Sequence, residues 1–506
     1  MSNSRTKNTK RNIVWSYTDY LVTFVFQFIS RTIIVQVLGS QYLGLSSLFT
    51  SILHVLNMAE LGFAGAVVYN MYKPIAQNDV ETVNALLAFY KKVYRIVGLI
   101  IFVIGISLTP FLSHLIKGSW PENINIYVLY LLYLLNTVIS YFLFAYKTSL
   151  LNALQRMDLT KIAYCIVNIL QCVFQLVAIL VFENYYAFVV ALVLGSALRN
   201  ILAAFFSKKY YPQYECSGTI SDEVKNSIVT RVKGLLICKI SGVTSGSFGS
   251  IVLSSMLGLV TLAIYGNYMV VYAAVTNIIV LIRHAMQASV GNSVASESVS
   301  KNYRDVFLWQ FLFSVIAIWC SICMLCLYQP FMKIWMGSDM LLSMIDVVLL
   351  CILFLISTVQ HAFYLYLSGN GMWWDLRWTY IMCAVCNLVL YIVFCKFLGT
   401  TGIILSTLIA QFLFGFIWQC NIIFKKYFKM STKDYHFKHV TYFSIGVFIA
   451  VVTYSICGLL KSEGLLGFVG KGAICIILPG LLMFIAFRKM DVFDRSKKIF
   501  LGLIRK

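Results

Sequence analysis

The sequence predicts an all-α polytopic membrane protein of about fourteen transmembrane helices, in two parallel six-helix lobes with two further helices at the C-terminal end. Three observations carry this prediction. Of 506 residues, 60% are apolar and only 12% charged, where a soluble globular chain is about half apolar and a quarter charged. The apolar runs are about 20 residues long, enough for a helix to cross roughly 30 Å of hydrocarbon and far longer than barrel strands of about ten alternating residues. The cations are distributed unevenly between alternate breaks in those runs.

Reading the runs between polar breaks places the spans at 12–38, 45–70, 93–115, 125–148, 162–182, 186–207, 234–258, 262–291, 305–330, 344–368, 376–396, 402–424, 438–460 and 468–488. The first is preceded by Arg5, Lys7, Lys10 and Arg11 with no small-residue cleavage site, so it reads as an uncleaved span and not a signal peptide. With the N-terminus cytoplasmic, about 31 of the 40 Lys and Arg flank the inner ends of the spans. Five face outside: Lys117, Lys333, Lys396, Lys461 and Lys471. Both termini are therefore expected in the cytoplasm, and the net charge of +21 is mainly a topology signal, not a nucleic-acid footprint.

The chain also echoes itself. Leu38-Gly39 returns as Leu257-Gly258, Pro110-Phe111-Leu112 with Lys117-Gly118 as Pro330-Phe331-Met332 with Met336-Gly337, and Asn136-Thr137-Val138 with Asp158 as Ser357-Thr358-Val359 with Asp375. All offsets fall between 217 and 221 residues. Six spans per unit is an even number, so the units run parallel, as in transporters that rock two lobes about a midline site. Retention for packing alone is the competing reading. The division expected is an N-terminal lobe at 1–207, a cytoplasmic linker at 208–233, a C-terminal lobe at 234–424, and two additional helices with a basic tail at 425–506. Within the linker, Thr219-x-x-Asp222 reads as a capping box, and Val224, Ile228 and Val232 as one face of a surface helix. Segment 75–92 reads as an amphipathic linker lying on the membrane, with partner docking as the lesser alternative.

The stretch Leu38-Gly39-Ser40-Gln41-Tyr42-Leu43-Gly44-Leu45 resembles a signature of the polysaccharide flippases. So do Ala59-Glu60-Leu61-Gly62-Phe63 and Tyr72-Lys73-Pro74-Ile75-Ala76-Gln77-Asn78-Asp79. These are the Wzx-like transporters of O-antigen and capsule repeat units, a branch of the MOP superfamily. The resemblance implies two six-helix lobes around a central cavity, and alternating-access export of a polyprenyl-pyrophosphate-linked oligosaccharide across the bacterial cytoplasmic membrane. The partners it implies are that lipid-linked sugar, the bilayer and other membrane proteins of polysaccharide biosynthesis, with no nucleic acid.

Charges inside spans cost from about 3 kcal/mol upward at mid-bilayer, so they are functional candidates. At 1.5 Å per residue, Arg199 lies about 20 Å from the outer end of its span, Glu60 about 22 Å, His361 about 25 Å and Arg31 about 10 Å. Asp19 and Lys239 hold near-equivalent places toward the cytoplasmic side, and Arg283 and Lys147 lie near cytoplasmic ends. Each has a plainer reading: Lys147, Arg283 and Arg31 can snorkel to the interface, Asp19 and Glu60 can pair or cap, and His361 can serve as hydrogen-bonded packing. The functional reading is that Arg31, Arg199, Lys239 and Arg283 offset the charge of a pyrophosphate, while Asp19 or Glu60 takes a coupling proton or sodium ion. Trp15, Trp120, Trp335 and Trp373 read as interfacial belt residues.

Fourteen cysteines include Cys320, Cys323 and Cys326, and Cys383 and Cys386, at i, i+3 spacing. One-face spacing makes a metal site conceivable. Without His or carboxylate beside them, they are read as small packing residues, and neither metal nor cofactor is expected. Gly467-Phe468-Val469-Gly470-Lys471-Gly472 lacks the spacing and hydroxyl of a phosphate-binding loop. No H-E-x-x-H or G-x-S-x-G occurs. A membrane glycosyltransferase or polysaccharide polymerase would need a long extracytoplasmic loop, and the longest expected here is about 331–343; an enzyme is not expected. The multidrug and toxin extruders of the same superfamily are the nearer rival, disfavoured by the mainly basic in-span charges. An uncoupled scramblase or assembly scaffold is the third reading.

Overall fold

The computed structural model describes the backbone of residues 2–60, 63–460 and 464–504, and their side chains except at 2–10, 59–60, 64, 227, 231, 233–241, 245 and 498–504. The chain is nearly all helix and divides into two compact units, Met1–Ala263 and Ile264–Lys506.

In the first unit α1 (Ser2–Ile33) passes through one π-helical turn (Ile34–Leu38) into Gly39, and α2 (Ser40–Leu56) follows. After a 3-10 turn at Asn57–Glu60 come α3 (Phe63–Ala76) and α4 (Val80–Leu108). The start of α4 is fixed by Asp79, whose carboxylate accepts from the Thr82 amide at 2.9 Å. Helix α5 (Ile126–Phe142) is capped by Asn125 and bends by 50° into the short α6 (Ala145–Ala153), because Phe144 is left-handed at φ 55°. Then follow α7 (Met157–Leu180), α8 (Tyr185–Tyr210), α9 (Asp222–Val243), a π-helical turn at Thr244–Phe248, and α10 (Gly249–Leu257).

Helix α11 (Leu259–Ser296) leads into the second unit. There α12 (Val299–Met336), α13 (Met344–Val359), the short α14 (His361–Gly369), α15 (Arg377–Leu398), α16 (Thr400–Ala410) and α17 (Gln419–Ile423) succeed one another. Helices α18 (Lys433–Leu459) and α19 (Gly464–Phe487) pack on α12 around Phe311, Ile318, Ile322 and Tyr442, and α20 (Asp491–Ile504) closes the chain.

Eleven segments among the described residues are long and apolar enough to cross a membrane, or twelve with α5 and α6 as one bent span. Of the other two expected spans, 45–70 includes residues outside the described set, and 234–258 is helical through α9, the π-helical turn and α10 to Leu257. Phe397 is 76% exposed, Phe437 72%, and Leu459 and Leu466 79% each. Side chains this apolar and this bare are solvated by lipid, so the chain is a multi-pass membrane protein.

The sequence echo has a counterpart in the backbone. Gly39, Gly258 and Gly337 each close a helix at positive φ (104°, 93° and 92°), and Gly118, in the loop after the 3-10 turn at Thr109–Leu115, turns the chain at 86°. Positive φ is strained for residues with a Cβ, which explains glycine at each of these stops. α5 and α13, which hold the Asn136 and Ser357 motifs, both break into helices of nine residues. Asp158 and Asp375, just after those short helices, are both ion-paired, the first with Arg11 and Arg156 and the second with Lys426.

Two local expectations change. The amphipathic face of 80–92 does not lie on the membrane: Val83, Leu87 and Tyr90 are fully buried in the first turns of the long α4. The expected linker helix is the beginning of α9, which runs on unbroken through Gly234 and Gly242 to Val243. Its first turn is capped by Ser221, which accepts from the Val224 amide at 3.5 Å, two residues beyond the expected Thr219.

Candidate functional site

Helix α1 carries polar side chains at three levels of the first unit. Arg11 and Asn12 lie near its start, Asp19 about 12 Å further along from Arg11, and Arg31 about 18 Å beyond Asp19 at 1.5 Å per residue. At the first level Asp158 is fully buried and takes Arg11 at 2.5 Å and Arg156 at 2.9 Å. Asn12 accepts from the Asp158 amide at 2.8 Å and donates to the Gln155 carbonyl at 3.0 Å. This level anchors α1 against the start of α7.

The middle level is the candidate site. Asp19, 7% exposed, receives Lys161 Nζ at 2.7 Å and Asn168 Nδ2 at 3.3 Å. Asn168 in turn accepts from Arg199 Nη1 at 2.7 Å, and the same nitrogen reaches Gln171 Oε1 at 3.3 Å. Arg199 Nη2 donates to Ser196 Oγ at 2.8 Å, and Ser196 donates to Asn136 at 2.6 Å. Four helices, α1, α5, α7 and α8, are thereby threaded by one polar network. Gly195 makes room for it, since a Cβ there would lie 2.2 Å from Gln171 Oε1. With one carboxylate, one ammonium and one guanidinium, the network carries a net charge of +1. Such a set is tolerable in an apolar layer only because every charge is bonded.

At the third level Arg31 lies near the Tyr185 phenol. Tyr185 shares a 3.0 Å hydrogen bond with Tyr133, and Tyr133 also donates to Ser46 at 3.0 Å. Tyr185 itself donates to the Tyr42 carbonyl at 3.2 Å. These hydroxyls give the guanidinium a polar neighbourhood inside the helix packing.

In the second unit Arg283 packs its guanidinium 4.7 Å from the Tyr364 ring centre and bonds His284 at 3.2 Å. Tyr364 meets Trp373 edge-on at 5.6 Å, so that tryptophan has an aromatic packing partner. His361 stacks edge-on against Phe313 at 5.7 Å. The larger cavities against α12 are an apolar groove of about 500 Å³ shared with α13 and α18, lined by Ile318, Ile322, Val348 and Val447, and a more polar one of about 590 Å³ shared with α18 and α19.

Of the six residues singled out in the sequence, Asp19 and Arg199 belong to one network, while Arg31 and Arg283 stand in separate surroundings. The side chains of Glu60 and Lys239 lie outside the described residues. Lys147 donates its ammonium to the Tyr214 carbonyl at 2.8 Å and holds the segment after α8. Lys161, Asn168, Gln171, Ser196 and Asn136 were not anticipated. A signal existed for three of them: Lys161, Asn168 and Gln171 recur at i, i+7 and i+10, one polar stripe along an otherwise apolar helix.

No family model matches the sequence, and no curated protein matches it. Solved structures do. The lipid II flippase MurJ, in an inward closed conformation, aligns with a TM-score of 0.68 at 15% identity, over 94% of this chain and 99% of its own. An inward-facing MATE multidrug resistance transporter of the MOP superfamily aligns at 0.64 and 14% identity, over 81% and 98%. A MOP superfamily transporter from Pyrococcus furiosus, described as having a binding pocket of reversed polarity, aligns at 0.54 and 14% identity, over 84% and 97%. The chain therefore shares the fold of these solved structures, an all-α fold of about this many spans. These neighbours are transporters and not enzymes.

Proposed function

We propose that this chain moves a polyprenyl-pyrophosphate-linked oligosaccharide across the bacterial cytoplasmic membrane by alternating access, with both termini in the cytoplasm. The observation that carries the reading is the net positive, fully bonded network of Asp19, Lys161 and Arg199 within the apolar helices, with Arg31 further along the same α1. A pyrophosphate must shed water to cross the apolar layer, and guanidinium groups replace that water with paired donors. The apolar groove between α12, α13 and α18 offers a lipid tail a surface of matching chemistry. Coverage agrees with a lipid-linked cargo: the lipid II flippase matches 94% of the chain, the MATE transporter 81%.

Arg199 is the residue assigned to the head group. Its bonds to Asn168, Gln171 and Ser196 are to neutral acceptors, which a phosphate oxygen outcompetes by adding charge to the hydrogen bond. Arg31, Lys239 and Arg283 are assigned to the same cargo at other stages of passage. Asp19 is the coupling candidate of stated geometry: a proton on it cancels its attraction for Lys161, freeing an ammonium for the anion. Glu60 keeps the alternative coupling role on the same charge argument. The test is export of surface polysaccharide by cells carrying Arg31→Ala or Arg199→Ala at normal protein levels. The reading expects both to lose export; if both export normally, it fails.

A further inference from the structure

Three helices of the second unit bring their cysteines to one point. Cys326 of α12, Cys457 of α18 and Cys475 of α19 have sulfurs all within 4.8 Å of one another, and all three are buried. The Cys457 and Cys475 sulfurs are 3.9 Å apart. Cys323, one turn before Cys326, points its thiol at the Cys475 carbonyl oxygen, 3.7 Å away, and is not one of the converging three. We propose that Cys326, Cys457 and Cys475 bind monovalent copper as a three-thiolate site that ties α18 and α19 to α12.

The spacing fits. Three sulfurs about 2.3 Å from a metal in a trigonal plane stand about 4.0 Å apart, so small side-chain rotations close the set. The donor count selects the ion. Structural zinc takes four ligands, and among the described residues no histidine or carboxylate joins the group. Thiolates without nitrogen or oxygen partners favour soft copper(I).

Charge balance follows from the neighbouring cavity of about 590 Å³, whose wall includes Cys326, Cys457, Lys333 and Lys471. Binding exchanges three S–H bonds for three S–Cu bonds and releases three protons into that cavity, with no change of oxidation state. The product carries a charge of −2, and the two ammonium groups on the same cavity wall oppose it. The i, i+3 cysteine spacing of α12 pointed to a sulfur-bearing face; the partners from α18 and α19 come from far along the chain, 152 residues from Cys323 in the case of Cys475.

The test is titration of the purified full-length protein in detergent, under reductant, with copper(I) buffered by a chromogenic copper(I) chelator. Expected are one ion per chain, an ultraviolet thiolate-to-copper band and three sulfur neighbours in X-ray absorption. Cys475→Ser should weaken binding by about 100-fold or more, while Cys383→Ser, away from the cluster, leaves it unchanged. If Cys475→Ser does not yield monodisperse protein, Cys457→Ala takes its place. Failure of the unsubstituted protein to hold copper, tighter binding of zinc than copper(I), or equal affinity in the cluster variants overturns the assignment. None of these readings depends on transport, so they do not bear on the flippase proposal.

Discussion

At the scale of single residues, a guanidinium and an ammonium do different work in the network on α1. Arg199 reaches Asn168 and Ser196 with separate nitrogens, a fork that lysine lacks. Arg199→Ala is therefore expected to lower export at least about tenfold, and Arg199→Lys to restore charge but only part of the activity, measured as surface polysaccharide per unit of transporter. Lys161 is instead the counter-charge of Asp19. Removing it alone strands a buried carboxylate, so Lys161→Met should destabilise more with Asp19 present than with Asp19→Asn. A double-mutant cycle of thermal unfolding in detergent should give a coupling of about 1–3 kcal/mol, and additive effects would show that the pair contributes nothing. The two cases also show what was legible. Arg199 and Asp19 stood out as charges within apolar runs. Lys161 did not, because at the edge of a run a lysine looks like any topology cation, and only the helix packing places it on Asp19.

Among the elements, stops and bends were more readable than faces. Gly39, Gly118, Gly258 and Gly337 announce themselves because a chain that must turn at positive φ uses glycine, and the repeat displays the same stop twice. The burial of Val83, Leu87 and Tyr90 was not readable, since an amphipathic face looks alike whether membrane or protein covers it. Asp79 caps that helix through the Thr82 hydroxyl and amide, which hold its carboxyl below the usual range. Its contribution is thus present at neutral pH and lost only on acidification through that lowered value. Gly195 joins element to site. Gly195→Ala should push Gln171 away from Arg199 and lower export toward the Arg199→Ala level. Gly65→Ala, at an open position on α3, should export normally; equal export by the two variants would remove Gln171 from the account.

For the whole molecule, the all-α class and the multi-pass character were legible because hydropathy reports them residue by residue. The polar network was not, because it joins side chains up to 149 positions apart, from Asp19 to Asn168. The orientation drawn from the cations has its own check. A fluorescent protein that folds only in the cytoplasm should report after residues 233 and 506, and an alkaline phosphatase should be active after residue 339. The opposite pattern would invert the transporter and with it the direction of the cargo. The central claim, that an anionic lipid-linked oligosaccharide is what crosses, is tested most directly by deleting the protein and analysing the lipid-linked intermediates of the cell. The account predicts complete repeat units accumulating on the cytoplasmic leaflet. An unchanged set of intermediates together with altered sensitivity to cationic drugs would contradict it.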